Sequence, residues 1–373
     1  MATILTEALS PLSFARNPVI VTFYNDEIAP SERTESVSVE IEVWVELVYN
    51  SGTFTKVSEF CNPYNMSSEE AKFNISRSLL SCFNASLPPV NSTTLTPITG
   101  IVKKFKILAR DIVGGIPEVS FTETAVFHAL MGGTNKSTGE LPLSDKPYIL
   151  LMTRRTQRRI HKNELLHLEF LPLESGTPTL EITWTTATTS GVTEIVLPAV
   201  TQYQPQSINI NLLDRSLIKT MTIKILGFTL PSLESISMIQ VSYEKDSMNT
   251  LMYRNSLGGM ETIAMLGINE IKSSTKSDLF ETEEAQTFST SEGNSFAFNQ
   301  SITQSYLFRT GFLSYYDKIR LFDMPLRNEA YLLWGEEFRK LYIQPGTFLY
   351  SRDKEDLHQA EFQARLAYDD HSI

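Results

Sequence analysis

The sequence contains only two cysteines, Cys61 and Cys82, in 373 residues. Two cysteines without C-x-x-C spacing are too few for the disulfide framework of a secreted domain, so we expect both to remain thiols. The N-terminus has no basic segment followed by an apolar one, and no apolar run approaches the roughly 18 residues of a membrane span. The sequence therefore predicts synthesis and folding in the cytosol.

Basic residues are also in deficit, with 32 Lys and Arg against 43 Asp and Glu, a formal net charge of -11. This charge repels a phosphate backbone or an anionic bilayer, so neither nucleic-acid binding nor membrane insertion is predicted. One basic run opposes the trend, and it contains Arg154, Arg155, Arg158 and Arg159. We interpret it either as a contact for an acidic partner or phosphate, or as a solvated turn or strand edge.

Sequence signatures of catalysis are missing as well. There is no Gly-x-Gly-x-x-Gly or Gly-x-Ser-x-Gly motif, and residues 132–137 lack the spacing of a phosphate loop. Glu164 and His167 have the Glu-x-x-His spacing of carboxylate-bridged metal sites, but no second pair exists, and strand alternation would put them on opposite faces. We predict no catalytic, metal or cofactor-binding residue, no cofactor, and no enzymatic activity. A hydrolase with an unrecognised carboxylate pair is kept as a third alternative.

The pattern that is present is β. Apolar and polar residues alternate over residues 37–47, which is typical of a strand with one solvated face. Many further β-branched or aromatic runs are short and separated by Gly, Pro, Asn and Ser, as in sandwiches and barrels. Trp44, Trp184 and Trp334 are expected in the core.

Five local patterns occur twice in the same order, which predicts an internal duplication. They are residues 17–21 and 146–150, 41–44 and 181–184, 77–80 and 215–218, 105–108 and 223–226, and the pairs Gly132-Gly133 and Gly258-Gly259. A repeat of roughly 120 residues with about seven strands suits an immunoglobulin-like or related sandwich. We therefore predict a mainly β chain with two tandem, diverged immunoglobulin-like β-sandwich domains at residues 1–136 and 137–260. Each is expected to contain a helical turn, at residues 77–83 and 214–219.

The character of the chain changes after the second glycine pair. Residues 261–305 are predicted to form a polar arm or long loop. Its aromatics are expected either to contact a partner or to pack locally; they are Phe280, Phe288, Phe296 and Phe298. A smaller α+β domain is predicted at residues 306–373, with a helix at 312–322, a hairpin at 330–344 and a strand at 362–368.

Three segments carry a resemblance to known proteins: residues 12–19, 255–262 and 362–370. They are similar to large β-rich proteins encoded in the structural-gene clusters of tailed bacteriophages and prophages of Bacteroidetes. Gly258-Gly259 with its flanks is the most distinctive block. The resemblance implies a virion component made in the host cytoplasm, a ring-forming subunit of the tail (baseplate or tail tip) or neck that assembles with itself and with other virion proteins. It brings no catalytic residues.

A recognition role is the main alternative to assembly. Sandwiches commonly present loops for binding, so the chain could be a receptor- or carbohydrate-binding module at a tail tip. Residues 62–65 or 91–97 would then be the recognition loops.

Overall fold

The fold is mainly β. The computed structural model describes residues 4–5, 9–24, 37–65, 70–90, 92–133, 146–153, 158–161, 164–210, 218–230, 234–241, 249–265, 270–281, 295–313, 321, 324, 329–347, 349–352 and 358–367. No helix in these residues is long and apolar enough to cross a membrane.

A first pair of sheets is built from the N-terminal third of the chain. The elements of this part of the chain are β1 (Ile4–Leu5), β2 (Leu12–Phe14), β3 (Ile20–Tyr24), β4 (Val37–Glu46), β5 (Phe54–Pro63), β6 (Glu70–Asn74), α1 (Ser76–Leu80), β7 (Thr96–Pro97), β8 (Val102–Val113), β9 (Ile116–Pro117), β10 (Thr122–Glu123) and β11 (Phe127–Leu130), and all the strands except β7 belong to the first pair of sheets. One sheet has the order β1-β3-β6 and the other β2-β11-β8-β4-β5, with β9 and β10 on β8. Alternate residues of β4, including Val39, Ile41 and Val43, are fully buried in the core that these sheets share.

A second pair of sheets follows. Its elements are β12 (Tyr148–Leu150), β13 (Arg158–His161), β14 (Leu166–Pro172), β15 (Thr179–Thr185), β16 (Ser190–Val196), β17 (Gln206–Ile210), β18 (Thr220–Leu226) and β19 (Ser235–Val241). The sheets have the orders β12-β14-β17-β7 and β13-β19-β18-β15-β16. Leu180, Ile182 and Ile223 lie in their own buried core.

The two pairs of sheets share one strand order. In each larger sheet one of the two outer strands runs parallel to its neighbour: β2 lies parallel to β11, and β13 lies parallel to β19. The remaining strands are antiparallel. The tryptophan patterns fall on corresponding strands, β4 and β15, and so do the Lys-Ile-Leu patterns, on β8 and β18. The first and fifth sequence matches do not fall on corresponding strands. The first relates β3 to β12, and the fifth relates the end of β11 to the turn after the strand at residues 249–254. The third match includes residues outside the described ones.

One strand crosses between the two pairs of sheets. β7 lies in the connection between β6 and β8, yet it pairs with β17. The Asn209 side chain reinforces this pairing, because its Nδ2 donates to the carbonyl oxygens of Pro89 (3.0 Å) and Val90 (2.7 Å). The first sandwich thereby adds an edge strand to the second. The described part of the predicted recognition loop at residues 91–97 is therefore bound within the chain.

A C-terminal sheet completes the fold. Its strands are β20 (Asn249–Arg254), β21 (Met260–Met265), β22 (Glu270–Glu281), β23 (Ser295–Leu313), β24 (Ala330–Trp334), β25 (Glu337–Ile343), β26 (Leu349–Arg352) and β27 (His358–Leu366). The order is β21-β20-β24-β25-β27-β23-β22, with β26 on β27. Phe308 and Phe362 lie fully buried in its core, with ring centroids 5.5 Å apart.

Several local predictions can be compared with these elements. The helical turn at residues 77–83 is present as α1, whereas most of 214–219 lies outside the described residues. The hairpin β24–β25 and the strand β27 confirm the C-terminal hairpin and strand. The helix predicted at residues 312–322 does not begin where expected, because Phe312 and Leu313 continue β23, and residues 314–320 lie outside the described residues. The α+β character of this domain stays a prediction. The predicted boundary after residue 260 falls inside β21, since β20 pairs with both β21 and β24; the other boundaries stay predictions.

The tryptophans are not in the core, so that prediction is wrong. Trp334 is 48% exposed, with the guanidinium of Arg339 4.8 Å from its ring centroid. Trp44 and Trp184 are half-buried. Trp44 lies on the solvated face of β4, whereas Trp184 shares the face of Ile182, so the two matched tryptophans point to opposite sides of their sheets.

Candidate functional site

Strands β22 and β23 form a long two-stranded ribbon. The register runs from Glu270 opposite Leu307 to Glu281 opposite Ser295, with a β-bulge between Lys276 and Asp278. β27 pairs with β23 from Tyr306 onward. Between Ser295 and Tyr306, no third strand among the described residues pairs with the ribbon. This two-stranded part is about 35 Å long at roughly 3.4 Å per residue. The predicted long loop is therefore a paired strand over these residues, and Ile271 at its base is 62% exposed.

The register brings together three of the four aromatics singled out in the sequence. Phe280 lies directly opposite Phe296, and Asp278 lies opposite Phe298. Because directly opposed positions and positions two apart share a face, positions 280, 296 and 298 fall on one face near the far end of the ribbon. Phe288 lies outside the described residues. A partner contact by these aromatics stays a prediction.

Within the basic run, the structure describes one basic side chain, that of Arg158, and it does not lie on the surface. Arg154 and Arg155 lie outside the described residues, and Arg159 lies in β13. Arg158 has no exposed surface. The prediction of a partner contact is corrected for Arg158, which is covered by β21 and binds inside its own chain.

Arg158 is held by one nitrogen of its guanidinium. Nη2 donates to Oε1 of Glu164 at 2.8 Å, and to Oγ1 and the carbonyl oxygen of Thr262 at 2.9 and 2.8 Å. Nε and Nη1 are buried without a hydrogen-bond partner among the described residues. A buried ion pair of this kind is costly to break, because the remaining charge would stay away from water.

A second set of buried polar contacts lies on β14. Nε2 of His167 is 2.9 Å from Oε1 of Glu169, and its Nδ1 is 2.7 Å from Oδ1 of Asn209. The backbone N–H of Met260 donates to the other oxygen of Glu169 at 2.9 Å. His167 and Glu164 thus bind different partners, and their Glu-x-x-His spacing does not bring them together.

The hairpin between β20 and β21 extends this network. Nδ2 of Asn255 donates to Oε1 of Glu261 at 2.7 Å and to the carbonyl oxygen of Leu151 at 2.8 Å. The hydroxyl of Thr153 donates to the same carboxylate oxygen at 2.8 Å. Buried hydrogen bonds rigidify the elements that they join. The second sandwich and the C-terminal sheet are thus linked through polar contacts that exclude water.

The two glycine pairs of the sequence meet at the same hairpin. The N–H of Gly133 donates to the carbonyl oxygen of Ser256 at 2.7 Å. A Cβ on Gly132 would lie 2.1 Å from the carbonyl oxygen of Leu257, and one on Gly258, which has φ +91°, would lie 2.9 Å from the nitrogen of Gly132. Only glycine permits this approach of two backbones. The sequence identified these glycines as a repeat, whereas in the fold they contact each other.

An acidic cluster on the solvated face of β4 and β5 is the arrangement closest to a metal site among the described residues. Oxygens of Glu40, Glu42 and Glu59 lie within 4.8 Å of one another. Arg110 binds Glu40 at 2.8 Å, and Lys56 binds both Glu42 and Glu59. Hydrogen bonding to Lys56 lowers the pKa of Glu59. These carboxylates already have cationic partners, so the cluster is a surface charge network.

A pocket of about 310 Å³ lies where β5 ends beside β6 and is lined by Asn62, Pro63, Asn65, Glu70 and Lys72. It includes part of the predicted recognition loop at residues 62–65. Nδ2 of Asn62 donates to the carbonyl oxygen of Lys72 at 2.8 Å. Nζ of Lys72 lies 3.0 Å from the carboxylate of Glu70. The lining therefore offers amide, carboxylate and ammonium groups to a polar ligand.

No protein-family model and no curated protein matches the chain.

Proposed function

We propose that this protein is a bacteriophage virion structural protein, a ring-forming subunit of the tail (baseplate or tail tip) or neck that assembles with copies of itself and with other virion proteins. The observation that carries the assembly role is the ribbon of β22 and β23. A two-stranded ribbon is marginally stable alone in water, and this one continues well past its last paired neighbour, β27. Such a ribbon gains stability when a partner covers it. The virion context comes from the resemblance of residues 12–19, 255–262 and 362–370.

The proposal includes two diverged immunoglobulin-like sandwiches as the body of the subunit. Their common strand order supports it, since β4, β8 and β11 correspond to the C, F and G strands of such a sandwich and β5 to the added C′ strand. The same assignment fits β15, β18, β19 and β16. The extended arm of the proposal is the ribbon.

The buried network supports a scaffold role. Arg158, Glu169 and Glu261 lie on different strands and join the second sandwich to the sheet that carries the ribbon. A link of this kind fixes the direction in which the ribbon leaves the body. A subunit of a regular ring needs its contact surfaces in fixed relative positions.

The test shortens the ribbon without disturbing the sheet. Lys276 and Ser301 are opposed in the register, so residues 277–300 are replaced by Asn-Gly, which closes a two-residue hairpin. We expect the variant to keep the circular dichroism and thermal unfolding of the full chain but to lose assemblies larger than a dimer in sedimentation velocity and incorporation into particles. The control Trp334→Ser removes an exposed aromatic elsewhere and should retain both. If the shortened variant assembles like the full chain, the ribbon is not an assembly contact. If virions show no ring density for this chain, the proposed role in the tail is wrong.

A recognition module is a second candidate, and the polar pocket favours it. Binding of a glycan to the full chain, abolished by Glu70→Gln together with Lys72→Met, would support this role. A glycan array without any signal would count against it. The third candidate, a hydrolase, would require that the chain cleave a glycan of the same array.

A further inference from the structure

Strand β16 is a free edge of the larger sheet in the second sandwich. It pairs with β15 through seven consecutive residues without a register shift, and no other described strand pairs with it. Val192 is 58% exposed and Val196 73% exposed. An exposed, regular and apolar edge is a template for pairing with another chain.

The corresponding edge of the first sandwich, β5, is protected. Its pairing with β4 contains a bulge between Val43 and Trp44, and the strand carries Lys56, Glu59 and Pro63. Bulges, lysine and proline are the usual means by which edge strands avoid pairing. β16 contains neither lysine, arginine nor proline, and its single charged residue is Glu194. The two sandwiches therefore differ at the same edge in a way that permits pairing in the second.

A tryptophan marks the inner side of this edge. A Cβ on Gly191 would lie 2.5 Å from Cζ2 of Trp184, so glycine lets the indole lie across the strand. Nε1 of Trp184 donates to the hydroxyl of Thr193 at 3.2 Å, and the neighbouring Ile195 is 37% exposed. These groups are left partly open to water because nothing in the described chain covers the edge.

We propose that β16 pairs in antiparallel fashion with β16 of a second copy of this chain, across a twofold axis at Thr193. The two five-stranded sheets then become one continuous sheet. The chain already uses strand addition internally, where β7 extends the sheet beside β17. This pairing is separate from the ribbon contact and does not depend on a virion role.

The charge pattern favours this register over one centred on Glu194. With Thr193 on the axis, Glu194 lies opposite Val192 of the partner copy and Gly191 lies opposite Ile195 of the partner copy. The Trp184 ring occupies the space that a side chain would take at Gly191, so in this register that isoleucine contacts the indole. A register centred one residue later would oppose Glu194 to itself, and directly opposed like charges destabilise a strand pair.

The register makes two size-matched substitutions act in opposite directions. Val192→Glu puts a carboxylate opposite Glu194 of the partner copy, twice per dimer, whereas Val192→Lys puts an ammonium there. A single strand pair is a small interface beside the roughly 1,200 Å² of a stable complex, so we expect a weak dimer, whose dissociation constant is measured at chain concentrations of roughly 10–300 μM. In sedimentation velocity over that range, Val192→Glu should raise the constant about tenfold or more, and Val192→Lys should leave it unchanged or lower it. Because each copy carries a formal charge of -11, added salt should favour the dimer.

A cross-link tests the axis directly. In a Cys61→Ser, Cys82→Ser background, Thr193→Cys should form a disulfide-linked dimer under mild oxidation, while Val57→Cys on the protected edge β5 should not. A wild-type chain that stays monomeric at about 300 μM overturns the proposal. It is equally overturned if the two Val192 variants weaken association alike or leave it unchanged, or if both cysteine variants cross-link at the same rate.

Discussion

Removal of the carboxylate that faces Arg158 should be among the most destabilising single changes in the described chain. Glu164→Leu leaves a guanidinium that is 0% exposed, with only the two contacts that Nη2 makes to Thr262. Nε and Nη1 have no partner in the part of the chain that the structure describes, so none of its other hydrogen bonds compensates. Breaking a buried pair by removing one partner costs about 3–5 kcal/mol. We expect a loss in that range for Glu164→Leu, and about 2 kcal/mol for Glu164→Gln, which keeps an acceptor but not the charge.

The double variant Arg158→Met, Glu164→Leu separates the ion pair from simple packing. Both charges are then absent and the volume is largely kept, so its unfolding free energy should lie within about 1 kcal/mol of the wild type. The two substitutions are therefore coupled by about 3 kcal/mol or more. This large coupling is the signature of an uncompensated buried charge in the single variants.

Urea unfolding of the full chain gives the free energies, and hydrogen exchange locates the effect. Arg158 lies on β13 and Thr262 on β21, so amides of these two strands should lose protection in Glu164→Leu while those of β4 keep theirs. A Glu164→Leu chain within 1 kcal/mol of the wild type would refute the reasoning. A double variant as unstable as the sum of the single ones would refute it too.

Three further predictions concern other buried groups. Burial, with a smaller effect of Lys104, lowers the pKa of His128. Because the unfolded state then binds the proton more readily, the unfolding free energy should fall as the pH drops through about 6.5, and His128→Gln should flatten that part of its pH profile. Burial raises the pKa of Tyr49 to about 12. Because the unfolded state loses this proton first, the unfolding free energy should fall between pH 10 and 12, and less so in Tyr49→Phe; absorbance titration of the phenolate measures the pKa. Gly132→Ala would bring a methyl group 2.1 Å from the carbonyl oxygen of Leu257 and should cost about 2–4 kcal/mol in urea unfolding, whereas Gly335→Ala, which meets open space, should cost about 1 kcal/mol.

Local patterns in the sequence were sufficient for the parts of the fold that depend on local pairing. The alternation over residues 37–47 predicted β4 because one face of that strand is buried and the other solvated. The hairpin β24–β25 follows from two short apolar runs around Gly335, which adopts φ +63°. In both cases the periodicity of side chains alone determines which face is buried.

The sequence could not predict features that depend on distant partners. Arg158 carries no local sign of burial, since β21, about a hundred residues later, covers it. The sequence predicts a loop where the ribbon lies because residues 270–304 are polar and lack sustained apolar alternation. A weak signal was present, as Phe296, Phe298, Ile302, Tyr306 and Phe308 all occupy alternate positions. The strand β7 has only two residues, Thr96 and Pro97, too few for any periodic pattern.

The β7–β17 pairing has a consequence for the order of folding during synthesis. Ser207 Oγ donates to the carbonyl oxygen of Thr96, which precedes it by 111 residues. The connection that carries β7 therefore leaves the ribosome long before the strand that receives it. Contacts of such high sequence separation form late and slowly. β7 therefore stays unpaired until residue 207 has emerged. A chain that stalls before that point exposes this unpaired strand to other nascent copies.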